Sequence, residues 1–331
     1  MDHLPTLEDI HQAHQRIKPF IHRTPVLTSE LINISANCSI FFKCENFQKV
    51  GAFKMRGAAN AVLSLPATRI SRGVATHSSG NHAQALAKAA ASTGTKAYIV
   101  MPESAPQVKV NAVKDYGAEI YFCNSTQQAR EQTLRAVLRE TGATFIHPYD
   151  DYHIIAGQAT AAAELIDEVE SLDVLIAPVG GGGLLSGTCL SANYLQPEAI
   201  IYGAEPSGAD DAKRSLDSGM IHPSIEPSTI ADGLLTSLSE RTFGIIKNHV
   251  RDILTVDDQE IMAALRLVWE RLKIVIEPSA AVPVAAVLKN PELFAQKRVG
   301  LVISGGNADL EEIDVVLHPQ VLELVRDHPL G

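Results

Sequence analysis

From Val74 onward, short β-branched runs alternate with longer stretches of helical periodicity, the pattern of a parallel sheet covered by helices. The apolar runs predict strands over Val74–Thr76, Ala97–Met101, Glu119–Cys123, Thr144–His147, Asp173–Val179, Ile200–Ala204 and Val299–Ser304. Between them, Asn81–Ser92 is rich in the strong helix formers Ala, Leu and Lys. Gln127–Glu140 and Asp257–Leu272 carry apolar residues at helical spacing. The fold class these elements predict is α/β, with two open twisted sheets flanked by helices. No long linker, low-complexity tract or solenoid repeat marks a boundary. The grouping of the elements predicts a small domain, residues 70–149, inserted into a larger one made of residues 1–69 and 150–331.

Composition narrows the function. The 331 residues suffice for two packed cores, and 46% hydrophobic with 20% charged residues is a globular balance. No uncharged apolar run approaches the roughly 18 residues of a membrane span, and the polar opening MDHLPTLEDIHQAHQ does not read as a signal peptide. A cytoplasmic location is expected. The formal charge of −10 would repel a phosphate backbone, which argues against nucleic-acid binding. Cys38, Cys44, Cys123 and Cys189 are scattered and form no ligand grouping, so reduced, buried thiols are expected. The 22 glycines, by contrast, cluster at strand ends.

The strongest cluster is DVLIAPVGGGGLLSG, where an apolar strand ends and Gly180, Gly181, Gly182 and Gly183 lead into a helix. Loops without Cβ atoms can turn several N–H groups to one point, and the helix N-terminus adds attraction for a phosphate. A dinucleotide site is the rival, since Glu205 closes the next strand where a ribose-binding acid would sit. Its fingerprint fails, because Leu185 occupies the place of the third glycine. Thr188, not lysine, follows Gly187, so a nucleotide P-loop fails as well. A single small phosphate suits the four-glycine cup better.

Three further loops carry chemistry. In KCENFQKVGAFKMRGAAN, Lys54 sits where a helix begins, a place where the dipole opposes a cation. A lysine whose charge is lost in a Schiff base escapes that penalty. In THSSGNHAQALA, Ser78, Ser79, Gly80, Asn81 and His82 exceed what capping a helix requires and would suit a carboxylate. In ISGGNADL, Ser304 ends the last apolar strand before Gly305 and Gly306. Ligands in open α/β sheets bind at the carboxyl ends of strands, so the four loops are expected to meet in one crevice.

These motifs resemble the pyridoxal-phosphate enzymes of fold type II, the tryptophan synthase β-like architecture, and within them the serine racemase and serine/threonine dehydratase group. The likeness runs in order through TPVLTS, FFKCENFQKVGAFKMRGA, SSGNHAQA, GGGGLLSG, AEPSGADD, TIADG, LVWERLKIVIEP and ISGGNADL. It implies that Lys54 carries the cofactor as an imine, that Phe53 and Asn81 contact its ring and 3-oxygen, and that Gly180 to Gly183 hold its phosphate. Ser304 would face the pyridine nitrogen, a partner that leaves the cofactor a milder electron sink than an aspartate would. Ser78, Ser79, Asn81 and His82 would bind a small hydroxy amino acid, with Lys54 as the base at Cα and Ser79 as the proton carrier on the opposite face.

The resemblance therefore implies a serine racemase, an L-serine/L-threonine dehydratase, or both, with threo-3-hydroxyaspartate ammonia-lyase as the alternative in the same family. It also implies a homodimer and a magnesium, calcium or manganese ion on Glu205, the Ala209 carbonyl and Asp211. Ala52 replaces a serine found in many relatives. Only about 20 residues follow ISGGNADL, so control by an appended regulatory domain is not expected.

Overall fold

The computed structural model describes residues 1–105 and 107–308. Its strands are β1 (Val26–Leu27), β2 (Ser39–Cys44), β3 (Val74–His77), β4 (Ala97–Pro102), β5 (Glu119–Cys123), β6 (Thr144–Phe145), β7 (Val174–Pro178), β8 (Ile200–Pro206), β9 (Asp252–Val256) and β10 (Arg298–Ile303). They form two sheets, one of six strands in the order β1-β2-β10-β7-β8-β9 and one of four in the order β5-β4-β3-β6. Among these ten strands only the β1–β2 pairing is antiparallel. The α/β class and the two sheets agree with the sequence.

All seven expected strands occur, Glu119–Cys123 with the expected ends and the other six with shifted ones. The Thr144–His147 run stops at Phe145 because the His147 ring turns back, its Nδ1 accepting the N–H of Tyr149 (3.3 Å) and Asp150 (2.8 Å). Asp257 is the cap before its helix, its side chain accepting the Glu260 N–H. The helix over Asn81–Thr93 ends at Gly94 in the left-handed region. Strands β1, β2 and β9 were not expected. The end of the ISGGNADL motif, Asp309 and Leu310, and the C-terminal limit of the expected large domain lie outside the described residues.

Two apolar clusters cover the two faces of the six-stranded sheet, one built on Ile40, Phe42, Val174 and Leu301, the other on Leu175, Ala177, Ile201 and Val302. Alternate residues of one strand thus feed opposite cores, as the period of two requires. The core beneath the four-stranded sheet also takes Ile17, Ile21, Met55 and Ala58 from ahead of residue 70. In the larger sheet, chain order reverses between neighbours β10 and β7, the switch point at which such sheets open a crevice. The Gly180–Gly183 loop follows β7 and Ser304 follows β10, so the topology sets the two side by side.

Candidate active site

A cavity of about 770 Å³ opens at this point. Phe53, Lys54, Ser78, Ser79, Asn81, His82, Gly180 to Gly183 and Ser304 all line it, so the structure brings together every residue expected at the cofactor and the substrate. Lys54 is the first residue of the Lys54–Leu63 helix, which has no side-chain cap. Its Nζ donates to the Pro148 carbonyl at 3.1 Å and lies 5.1 Å from the centre of the Phe53 ring. Burial lowers the pKa of Lys54 to about 8, against an opposing pull from the Glu277 carboxylate. A lysine in that range yields a free amine near neutrality.

The glycine loop does more than turn. Gly182 has φ +84° and caps the Gly183–Leu195 helix, whose first N–H groups have no intrahelical partner. A Cβ on Gly181 would stand 2.3 Å from the Tyr149 ring. Glycine there lets the Tyr149 ring approach the cup closely, which its sequence neighbours do not reveal. On the other side, Ser304 is 3% exposed and its hydroxyl has no hydrogen-bond partner among the described residues. A buried hydroxyl in that state costs about 1–3 kcal/mol unless something else satisfies it.

The carboxylate loop is wired differently from expectation in two places. The Asn81 amide donates to both oxygens of Glu277 (3.0 and 3.1 Å) and its oxygen accepts from Asn307 (2.8 Å). His82 is buried, and its Nε2 bonds the Ile146 carbonyl at 3.2 Å, which places the ring proton on Nε2. Burial, and then the Lys54 charge, lower its pKa to about 3, so the ring is neutral. What this loop offers an anion is its hydroxyls and the first N–H groups of the Asn81–Thr93 helix.

Glu277, Asn307, His147, Tyr149 and Arg130 also line or close the cavity and were not singled out from sequence. Glu277 binds the Asn81 amide and the Asn307 N–H (3.3 Å), tying two of the glycine-marked loops together. Burial raises its pKa to about 7, with the Asn81 hydrogen bond working against the rise. His147 packs edge-on against Tyr149 with ring centres 4.7 Å apart. Burial brings its pKa down to about 4.

Glu205, Ala209 and Asp211 lie apart from the cavity lining. Glu205 is fully buried, its two oxygens accepting the N–H of Ala212 and Lys213, each at 2.9 Å. It is therefore not offered to a ribose, and the dinucleotide reading loses its acid. Asp211 is 1% exposed, and neither of its oxygens has a hydrogen-bond partner among the described residues. Burial raises Glu205 to about 8 and Asp211 to about 6. Among the described residues no group of three or more His, Cys, Asp or Glu side chains is arranged to hold a metal ion.

A small phosphorylated aldehyde suits the cavity at each end, with an amine for the carbonyl, an anion cup for the phosphate and an unpaired hydroxyl for a ring nitrogen. The class so defined is an α/β enzyme that works through a lysine-bound carbonyl cofactor. Comparison with known proteins gives the family: the model for "pyridoxal-phosphate dependent enzyme" matches residues 17–305, and the chain belongs to it. The chain is 51% identical to the β-hydroxyaspartate dehydratase of Paracoccus denitrificans, over 94% of this chain and 99% of the other. It is 48% identical to the L-threo-3-hydroxyaspartate ammonia-lyase of Saccharomyces cerevisiae, over 93% and 95%. The crystal structure of serine racemase from Dictyostelium discoideum superposes with a TM-score of 0.89 at 51% identity, covering 92% of this chain and 99% of that one.

Proposed function

We propose that the protein eliminates water from small 3-hydroxy amino acids, the unsaturated amino acid so formed taking up a water to give a keto acid and ammonia, and that it interconverts the enantiomers of serine at the same site. The observation that carries this reading is Lys54, an amine of lowered pKa in the cavity shared by the glycine cup and the unpaired Ser304 hydroxyl. Pyridoxal phosphate, when bound, supplies an electron sink for the electrons left at Cα. The chain's own groups do the rest. Ser78 and the first N–H groups of the Asn81–Thr93 helix bind the substrate carboxylate. Lys54 takes the proton from Cα. Ser79 delivers a proton to the opposite face when the enantiomer is the product. The Ser304 hydroxyl would pair with the ring nitrogen without fixing a charge there. Gly180 to Gly183 would hold the phosphate, and Phe53 and Asn81 would contact the ring and its 3-oxygen.

A second reading, preference for threo-3-hydroxyaspartate, has an observation of its own. Arg130 lines the cavity, and its buried Nε has no hydrogen-bond partner among the described residues. A second substrate carboxylate would satisfy it. Lys109 also lines the cavity but is paired with Asp232 at 2.5 Å.

The buried, unpaired carboxylate of Asp211, near enough to Glu205 to raise its pKa, supports a magnesium, calcium or manganese site with Glu205 and the Ala209 carbonyl, since hard oxygen donors suit such ions. A cytoplasmic homodimer, with a small domain of residues 70–149 in a larger one of 1–69 and 150–331, completes the proposal. The separate sheet formed by β3 to β6 supports that division. No helix among the described residues is long and apolar enough to cross a membrane.

The test is product analysis. Incubation with L-serine, L-threonine and L-threo-3-hydroxyaspartate should release keto acid and ammonia, and L-serine should also give D-serine. Lys54→Ala should abolish both reactions and the visible absorbance of lysine-bound cofactor. A Lys54→Ala protein that keeps them would sink the proposal.

A further inference from the structure

Beneath the Lys54–Leu63 helix lies a group of charges that the cavity does not touch. Arg56, Lys43, Glu45 and Glu164 are all buried, the first three completely. Arg56 Nε and Nη2 donate to Glu45 at 2.7 and 2.8 Å, and Nη1 and Nη2 donate to Glu164 at 2.9 and 2.8 Å. A fifth bond runs from Nη1 to Thr160 Oγ1 at 3.1 Å. All five guanidinium donors are thereby used. Lys43 Nζ meets Glu164 at 2.7 Å and the Thr24 carbonyl at 2.7 Å, and the Thr24 hydroxyl donates to Glu45 at 2.6 Å. Two cations and two carboxylates from β2, the turn after it and two helices form one lattice, with His14 Nε2 at its edge, 3.4 Å from Glu164.

Stability does not account for it. A buried ion network of this kind is commonly no more stabilising than apolar side chains of the same volume. What it adds is direction, because a guanidinium clamped on two sides leaves its backbone one place to be. Arg56 stands two residues after Lys54, on the turn that has no side-chain cap and whose first residue is a cation opposed by the dipole. One residue further on, a Cβ on Gly157 would stand 2.6 Å from Gly57 Cα, so the helix also bears directly on the backbone of the Tyr152–Glu168 helix. Lys54 Nζ itself makes a single hydrogen bond among the described residues, to the Pro148 carbonyl, beside its contact with the Phe53 ring.

We propose that Arg56 is a positioning residue for Lys54: its five-bond clamp on Glu45, Glu164 and Thr160 fixes the turn that aims the amine into the cavity. This rests on Lys54 being the lysine that takes the cofactor. Misplacing a reacting group by about 1 Å costs on the order of 100-fold in rate, which is the scale on which the clamp acts. Arg56→Lys keeps the charge and removes the fork.

The experiment uses full-length protein freed of cofactor and measures, from pH 6 to 9, the rate at which added pyridoxal phosphate gains the absorbance of the lysine-bound form. Borohydride reduction and peptide mapping locate the modified lysine, and kcat and KM for L-serine are measured on the reloaded protein. For Arg56→Lys the expected results are uptake slowed about tenfold or more, kcat down by about 10- to 100-fold, KM changed by less than about twofold, and a shifted pH midpoint of uptake. A purely structural lattice would lower the melting temperature and leave uptake rate, midpoint and kcat at wild-type values, and that result overturns the proposal. Should Arg56→Lys not fold, Thr160→Val removes one bond of the five and decides the matter: uptake slowed about threefold supports the clamp, and unchanged uptake overturns it. If wild-type protein takes up cofactor at another lysine or at none, the reading of Lys54 fails first, and the clamp fails with it.

Discussion

Glu164 under the Lys54–Leu63 helix and the pair Glu205–Asp211 near the end of β8 are carboxylates similarly withdrawn from water, yet they answer burial in opposite ways. Burial tends to raise Glu164, but the Arg56 hydrogen bonds and charge, with Lys43, outweigh it and hold the carboxyl at about 2. At Glu205 and Asp211 burial prevails, and they rise to about 8 and 6. Backbone N–H groups oppose the rise at Glu205, and the Ser224 hydroxyl and the Arg214 charge oppose it at Asp211, but among the described residues no cation is bonded to either acid. The contrast separates a charge group that is complete within the chain from one that is complete only with something added.

The largest effect should come from breaking the complete group. Arg56→Met leaves Glu45 and Glu164 buried without their fork, and stability should fall by about 3–5 kcal/mol, measured by urea unfolding. A loss under about 1 kcal/mol would mean that the lattice relaxes to water. The incomplete group should respond to completion. Magnesium added to chelator-treated protein at about 100 times its dissociation constant should stabilise it by roughly 2.7 kcal/mol, seen as a higher melting temperature. Asp211→Asn should abolish that response. Equal melting curves with magnesium and with chelator would remove the proposed role of both acids.

Acid sharpens the same contrast from the other side. A depressed folded pKa means that the unfolded chain binds the proton more tightly, so the contribution of Glu164 is full above its ordinary 4.5 and fades as pH falls toward about 2. Wild-type stability should drop across that window, and Glu164→Gln should flatten part of the drop. Unfolding midpoints between pH 5 and 3 measure it, and parallel curves for the two proteins would contradict the assignment.

These charge groups also mark where reading the sequence stops. The glycine-marked loops were legible because glycine leaves a local trace: Gly180 to Gly183, Gly80 and Gly305 cluster at strand ends. Lys54 was legible because a cation at a helix start is locally wrong. Arg56, Lys43 and Glu164 carry no such trace, because their partners are far apart in the chain; Arg56 and Glu164 are separated by 108 residues. Lys43 is an inward-facing charge in the strand β2, SIFFKC, and β2 went unrecognised along with β1 and β9. Glu277 and Asn307 lay inside motifs that were recognised, IVIEP and ISGGNADL. Their work is to bind Asn81, which only the folded chain brings near.

Glu277 stands between the two groups, and the smallest effect belongs to it. Burial raises it and the Asn81 amide pulls it back, leaving a pKa of about 7, so near neutrality it exchanges a proton while facing the lysine. Its anion is the charge that holds Lys54 up against desolvation. Glu277→Gln keeps the shape and a polar partner for Asn81 but removes that charge. The free amine of Lys54 should then appear at lower pH, with the midpoint for cofactor uptake moving below about 8 while the plateau rate changes by less than about tenfold. The direction is fixed by the sign of the interaction, since an anion favours the ammonium and its loss favours the amine. A midpoint that stays in place or moves up would show that Glu277 does not act on Lys54 electrostatically, and that its part in the cavity is to hold Asn81.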